Sequence, residues 1–213
     1  MKCRLCFQSE QLQEINYKNE IYFFCPECEY IFLAEKFIPG PEEEQARYAE
    51  HDNTLGNEGY VNMFEKFIDQ IIIPHQKGVE TVLDFGCGPG PVLAHLLRER
   101  GFVVDVYDPY FYPEKIFAEK KYDLITSTEV FEHLKNPSRI VELLLEHLNP
   151  GGLLALMTSF HPGPENFADW WYKWDPTHIG FYNETTFRWI AKDFSLELIM
   201  LAAEKYCLFR KQD

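Results

Sequence analysis

The sequence predicts an α/β fold, a doubly wound and mostly parallel sheet, with a small cysteine-rich module at its N-terminus. Three observations carry this expectation. Beyond residue 80, short apolar runs alternate with stretches of helical periodicity, the pattern of strands and helices that cover both faces of a parallel sheet. The first of those runs breaks straight into a glycine-rich turn, Val82-Leu83-Asp84-Phe85-Gly86-Cys87-Gly88-Pro89-Gly90. Four of the six cysteines stand in two Cys-x-x-Cys pairs, Cys3 with Cys6 and Cys25 with Cys28.

A chain of 213 residues with 46% hydrophobic side chains can build one medium α/β domain and a small appendage. No apolar run approaches the roughly 20 residues of a membrane span, and the first residues lack the apolar stretch of a secretory signal. The expected location is cytoplasmic, with no membrane partner. The formal net charge is −14, and no run of Lys and Arg exceeds a pair. Binding to phosphate backbones needs a basic footprint, so a nucleic acid is not the expected partner. A small molecule or a protein fits better.

Taken in order, the cysteines come first. The 18 residues between Cys6 and Cys25 match a four-thiolate zinc ribbon. A two-residue gap lets both thiolates of one turn point at one ion, and four thiolates complete a closed tetrahedral site of structural type. Residues 14–17 and 21–24 alternate as a hairpin about Lys18-Asn19-Glu20. The segment is too small for a core of its own, so the metal would fold it. Cys87 and Cys207 are left over and read as small buried residues. Phe37-Ile38-Pro39-Gly40-Pro41 is the clear linker, which divides the chain into a ribbon-like module, 1–38, and a main domain, 39–213.

Residues 42–51 and 60–73 read as helices, the second ended by Pro74. Strands follow at 81–85 and 103–107, with a helix at 91–100 between them that has proline in its first turn and Gly101 after its end. Further strands are expected at 122–128, 153–158, 196–201 and 206–209, with helices at 138–148 and 184–192 and a turn at Asn149-Pro150-Gly151-Gly152.

Open parallel sheets bind ligands beyond the carboxyl ends of their strands, which puts the glycine turn at the centre of a site. A dinucleotide grip would space its glycines as Gly-x-Gly-x-x-Gly, but Pro91 stands where the third is needed. No Lys-Ser/Thr follows to cradle phosphate, and Asp84 suits a cationic ligand better than a pyrophosphate.

With its neighbours, this turn resembles the cofactor loop of class I S-adenosylmethionine-dependent methyltransferases. Asp108, closing Val104-Asp105-Val106-Tyr107-Asp108, matches that family's ribose-binding acid. Residues 122–134, with Thr128-Glu129-Val130-Phe131-Glu132-His133, resemble its fourth strand and the loop after it, and Leu148-Asn149-Pro150-Gly151-Gly152 resembles the turn before its fifth. The likeness spans about residues 45–211. It implies a Rossmann-like seven-stranded sheet with an antiparallel last strand. It also implies an S-adenosylmethionine site formed by Tyr48, Asp84, Gly86, Cys87, Gly88, Asp108, Pro109, Thr128 and Glu129. One departure stands out: only 14 residues separate Asp108 from Asp123, which leaves room for at most a short third strand and removes the usual carboxylate for adenine. Tyr110, Phe111 and Tyr112 are the aromatic groups at hand to stack there instead.

The likeness implies an enzyme that methylates a small molecule at an O, N or C nucleophile, since neither the Asn/Asp-Pro-Pro-Tyr of adenine methylation nor a Pro-Cys nucleophile follows the fourth strand. His133 and His178 are the candidate catalytic residues, each with the alternative of packing within the fold; Tyr48 and His51 stand where relatives cap the cofactor. The loop 160–174, rich in aromatics, reads either as a lid over the acceptor or as a satellite core. The competing function is a binding protein in which the ribbon docks a macromolecule.

Overall fold

The computed structural model describes residues 1–8, 11–50 and 53–212. Its main sheet is built from β4 (Thr81–Phe85), β5 (Val103–Tyr107), β6 (Tyr122–Thr128), β7 (Leu148–Met157), β9 (Leu196–Ala202) and β10 (Tyr206–Lys211), in the spatial order β5-β4-β6-β7-β10-β9. The first four in that order run parallel; β10 is antiparallel to both β7 and β9.

Successive residues of a strand face opposite sides, and here both sides are apolar. Val82, Leu124, Ala155, Met157 and Leu208 pack on one face with α2 (Glu58–Phe67), its continuation to Ile72, and α3 (Val92–Glu99). Leu83, Ile125, Leu154, Leu156, Cys207 and Phe209 pack on the other with α4 (Pro137–Glu146) and α5 (Glu184–Asp193). Helix ends follow local chemistry. The Asn57 side chain accepts from the Tyr60 N–H, and the Asn183 side chain accepts from the Thr186 N–H while the Asn183 N–H donates to Thr186 Oγ1.

Among the described residues the main sheet has six strands, abbreviated near the third strand as the short segment after Asp108 leads one to expect. Residues 109–121 are too short for the missing strand and its helices. They hold a single bridge between Asp108 and Tyr112 and a buried Phe117 whose ring meets Tyr107 at 4.9 Å. β5 is therefore the sheet's edge. Val103 is 66% exposed there, and Asp105 takes Lys120 and the Tyr122 hydroxyl, both at 2.7 Å. A charged group of this kind blunts an edge against pairing with another chain. The expected turn at 149–152 lies within β7, where the pairing with β6 shifts register between Tyr122 and Leu124.

A second, four-stranded sheet carries the cysteines: β1 (Gln13–Tyr17), β2 (Glu20–Phe24), β3 (Ile31–Leu33) and, from far along the chain, β8 (Gly180–Phe181). Neither β3 nor β8 is expected from sequence. α1 (Pro41–Ala49) follows this sheet. The ribbon is fastened to the main domain by polar bonds. Ser138 Oγ donates to the Leu5 carbonyl at 2.6 Å, and Asn183 Nδ2 to Glu29 Oε2 at 2.7 Å. Between the ribbon sheet and the loop 160–174 lies an aromatic satellite core of Tyr22, Phe24, Phe167, Tyr172 and Phe181.

The loop 160–174 divides between its two expected roles. Phe167 and Tyr172 are buried in the satellite core, whereas Trp171 and Trp174 are 60% and 64% exposed. Among the described residues, no helix is long and apolar enough to cross a membrane.

Candidate active site

Strands β4, β5 and β6 end at a cleft of about 820 Å3, where an open parallel sheet offers its backbone to a ligand. After β4 the chain turns through Gly86 and Gly88 with φ of +82° and +66°, a region that side chains disfavour. The N–H groups of Gly86 and Cys87 donate to the Tyr107 carbonyl at 2.7 and 3.2 Å. A methyl group on Gly86 would lie 2.3 Å from Val130 Cγ2, so close packing requires glycine there as well.

Asp108, at the end of β5, joins this turn to the next loop. Its Oδ2 accepts from the Gly88 N–H at 3.0 Å, and its Oδ1 from the Tyr110 and Phe111 N–H groups at 2.9 and 3.1 Å. Asp84 differs. Its Oδ1 accepts from Thr126 Oγ1 at 3.0 Å, while its fully buried Oδ2 has no partner. Burial pushes its carboxyl up to about 7. An orphaned carboxylate oxygen on the wall of a cleft fits a ligand that brings a positive charge, as the ammonium group of S-adenosylmethionine does.

Across the cleft, β6 leads into Glu129, whose φ of +53° is uncommon for a side chain of this kind. Its N–H donates to the Met157 carbonyl at 2.8 Å, and one turn of 3-10 helix, Phe131–His133, follows. The Tyr172 hydroxyl reaches both Glu129 Oε2, at 2.9 Å, and Glu132 Oε1. Burial and the neighbouring Glu132 charge push Glu129 up to about 8, and burial pushes Glu132 up to about 7. His133 is held below its ordinary range by burial. Its ring meets His178 at 4.8 Å and Tyr48 at 5.1 Å. Arg47 pairs with Asp175 at 2.9 Å, which joins α1 to the segment carrying His178.

The structure brings Tyr48, Asp84, Gly86, Cys87, Gly88, Asp108, Pro109, Thr128, Glu129, His133 and His178 to the lining of this one cleft. Tyr110 and Phe111 join them. His51 lies outside the described residues. Sequence reasoning missed Glu132 and Tyr172 as members of the site. Glu132 is adjacent to a candidate histidine, but its inward direction depends on the 3-10 turn. Tyr172 was one aromatic among many in its loop.

The cysteines form a separate, buried site. Cys3 and Cys28 approach to 3.6 Å, as do Cys6 and Cys25, and all four sulfurs lie within 4.8 Å of one another. A disulfide would need about 2.05 Å, whereas thiolates about 2.3 Å from a shared zinc stand about 3.8 Å apart. The donor set and its spacing fit zinc. The Leu5 N–H donates to Cys3 Sγ at 3.4 Å and helps hold that sulfur.

Comparison with known proteins agrees with this geometry. The family model of the methyltransferase domain matches residues 58–201, well over half of the chain. Among solved structures, magnesium protoporphyrin IX methyltransferase from Synechocystis with bound SAH aligns with a TM-score of 0.54 at 13% identity, covering 80% of this chain and 94% of that one. Mitomycin 7-O-methyltransferase aligns with a TM-score of 0.55 at 14% identity, covering 73% of this chain and 55% of that one. At such identities these likenesses speak for the fold. No curated protein matches the sequence. Family match, sheet order and glycine-turn cleft converge: the chain belongs to the S-adenosylmethionine-dependent methyltransferases.

Proposed function

We propose that the chain transfers a methyl group from S-adenosylmethionine to a small-molecule acceptor through an O, N or C nucleophile. The observation that carries this reading is that the glycine turn and the Glu129–His133–His178 group open into one cleft, walled by Trp171 and Trp174. The solved relatives are named for porphyrin and mitomycin substrates, and a wall of this kind suits a planar or apolar molecule.

When bound, the cofactor supplies a methyl group made electrophilic by its sulfonium. Asp84 Oδ2 would accept from its ammonium, and the backbone of Gly86, Cys87 and Gly88 would hold its methionine end. Asp108, fixed by three backbone donors, would meet the ribose beside Pro109. Thr128 and Glu129 would line the methionine or adenosine side, with Tyr48 above. His133 and His178 stand where an acceptor can be oriented or relieved of a proton, and alignment of the two reactants supplies much of the rate.

Residues 1–38 would act as a zinc-held structural module on the domain 39–213. Its bonds run to its own domain, at Ser138, Asn183 and β8, which favours this role over docking of a separate macromolecule. Calorimetry of the zinc-loaded chain with S-adenosylmethionine and S-adenosylhomocysteine tests the reading. Binding of both is expected, and failure of folded protein to bind either would overturn it.

A further inference from the structure

We propose that Glu132, His133 and His178 form a binding site for a divalent first-row cation on the acceptor side of the cleft. One ligand atom from each lies within 4.8 Å of the other two. Donors about 2.1 Å from a common ion stand about 3–4 Å apart, so a small closing movement completes the set.

The histidines are oriented for this. His133 Nδ1 lies 2.9 Å from the Thr177 carbonyl, and His178 Nδ1 lies 2.6 Å from the Tyr172 carbonyl. A carbonyl only accepts, so each Nδ1 carries the proton and each Nε2 carries the lone pair. Backbone carbonyls hold metal-binding imidazoles in this tautomer by the same bond.

The hydrogen bonding around Glu132 supports a cation independently. One hydroxyl proton, that of Tyr172, stands between two buried carboxylates, Glu129 and Glu132. The second oxygen of Glu132 is buried with no hydrogen-bond partner, and neither carboxylate has an ion pair among the described residues. A buried carboxyl oxygen without a partner is costly to leave unsatisfied, and a cation beside Glu132 satisfies it.

Two imidazoles and one carboxylate leave coordination positions open, and His133 and His178 line the cleft where they would open. The nitrogen and oxygen set also differs from the four thiolates, so the two sites sort metals by softness. Resting on the methyltransferase reading, the acceptor is then an oxygen compound whose hydroxyl enters as a further ligand. Its proton leaves to water in the cleft, and an oxygen lone pair forms the new O–C bond. The C–S bonding pair returns to sulfur, leaving a neutral thioether.

The test uses the full chain with zinc already on its cysteines. It is titrated with Mn2+, read by electron paramagnetic resonance, and with Zn2+, read by calorimetry. One further ion per chain is expected for at least one of the two metals. Its affinity should fall roughly tenfold or more in Glu132→Gln and in His178→Gln, while both variants still bind S-adenosylhomocysteine. No further ion with either metal, or binding indifferent to both substitutions, overturns the cation site. Because S-adenosylhomocysteine binding is measured on the same samples, its loss would instead count against the methyltransferase reading.

Discussion

The cysteine corner and the glycine-turn cleft each gather distant residues into a small site, but they do so by different means. In the corner, four side chains converge from two short turns on strands of three to five residues. Those strands are too short for a core of their own and borrow the main one through Leu5, Tyr30 and Phe32, so a metal on the thiolates and that shared packing hold the corner together. In the cleft, the site is a by-product of six strands whose two faces are buried by helices. That scaffold stands with or without its ligand. The regions nonetheless touch. The Leu33 N–H donates to the Ile179 carbonyl at 2.9 Å, and the Ile179 N–H donates to the Glu132 carbonyl at 2.7 Å. The ribbon thus reaches the Glu132 end of the loop after β6.

The comparison is broken most severely at the corner. Cys25→Ser should abolish stoichiometric zinc and unfold β1 to β3, because metal binding in such modules is worth on the order of 10 kcal/mol. Metal analysis and amide exchange over residues 13–33 check this. S-adenosylhomocysteine affinity should change by less than about threefold, since the glycine turn is not attached to the ribbon; a collapse of affinity would show that the two regions form one site.

Next in size is Asp84→Asn. On the proposed role of Asp84, removing its charge should weaken S-adenosylhomocysteine binding by about ten- to a hundredfold, equivalent to about 1.5–3 kcal/mol for a hydrogen bond to a charged group. Zinc content should remain unchanged. Titration calorimetry resolves both.

A third effect is the pH dependence of that affinity. Asp84 is held near 7 against an ordinary 3.8 because it is buried, and the cationic ligand needs it ionised. Affinity should therefore fall as pH drops below about 7, approaching tenfold per unit. The sign for stability is the reverse. A raised carboxyl binds its proton more tightly when folded, so its contribution declines as pH rises from 3.8 to about 7. Asp84→Asn should remove both slopes, as binding and unfolding measured from pH 5 to 8 would reveal.

The smallest effect is expected from Trp174→Ala at the exposed wall. Surface changes of this kind move stability by about 0.5 kcal/mol or less. The acceptor KM should rise several-fold while S-adenosylhomocysteine affinity stays level.

The legibility of the sequence follows the same division. β4 and β6 are read correctly to the residue, because buried parallel strands are written as largely apolar runs bounded by turns. The glycine turn and Asp108 announce themselves through backbone constraint and spacing. The resemblance carries the sheet's overall plan, and the shortness of 109–121 carries its abbreviation near the third strand. β3 and β8 were illegible because three residues and two residues have no periodicity; pairing across the fold makes them strands. Tyr172 and Glu132 were illegible for a related reason: 40 residues of chain must fold before that hydroxyl meets that carboxylate.

The pairing of β3 with β8 also sets an order of events during synthesis. All four cysteines emerge by residue 28, so metal can be captured early, yet Ile31 must wait for Phe181 before the ribbon sheet is complete. Contacts of such long sequence separation form late and slowly. Until then β3 presents an unpaired apolar edge, Ile31-Phe32-Leu33, to the nascent chain and its surroundings. Closing that edge seats Ile179 against Glu132, so one late step both protects the young chain from misassembly and finishes the acceptor wall.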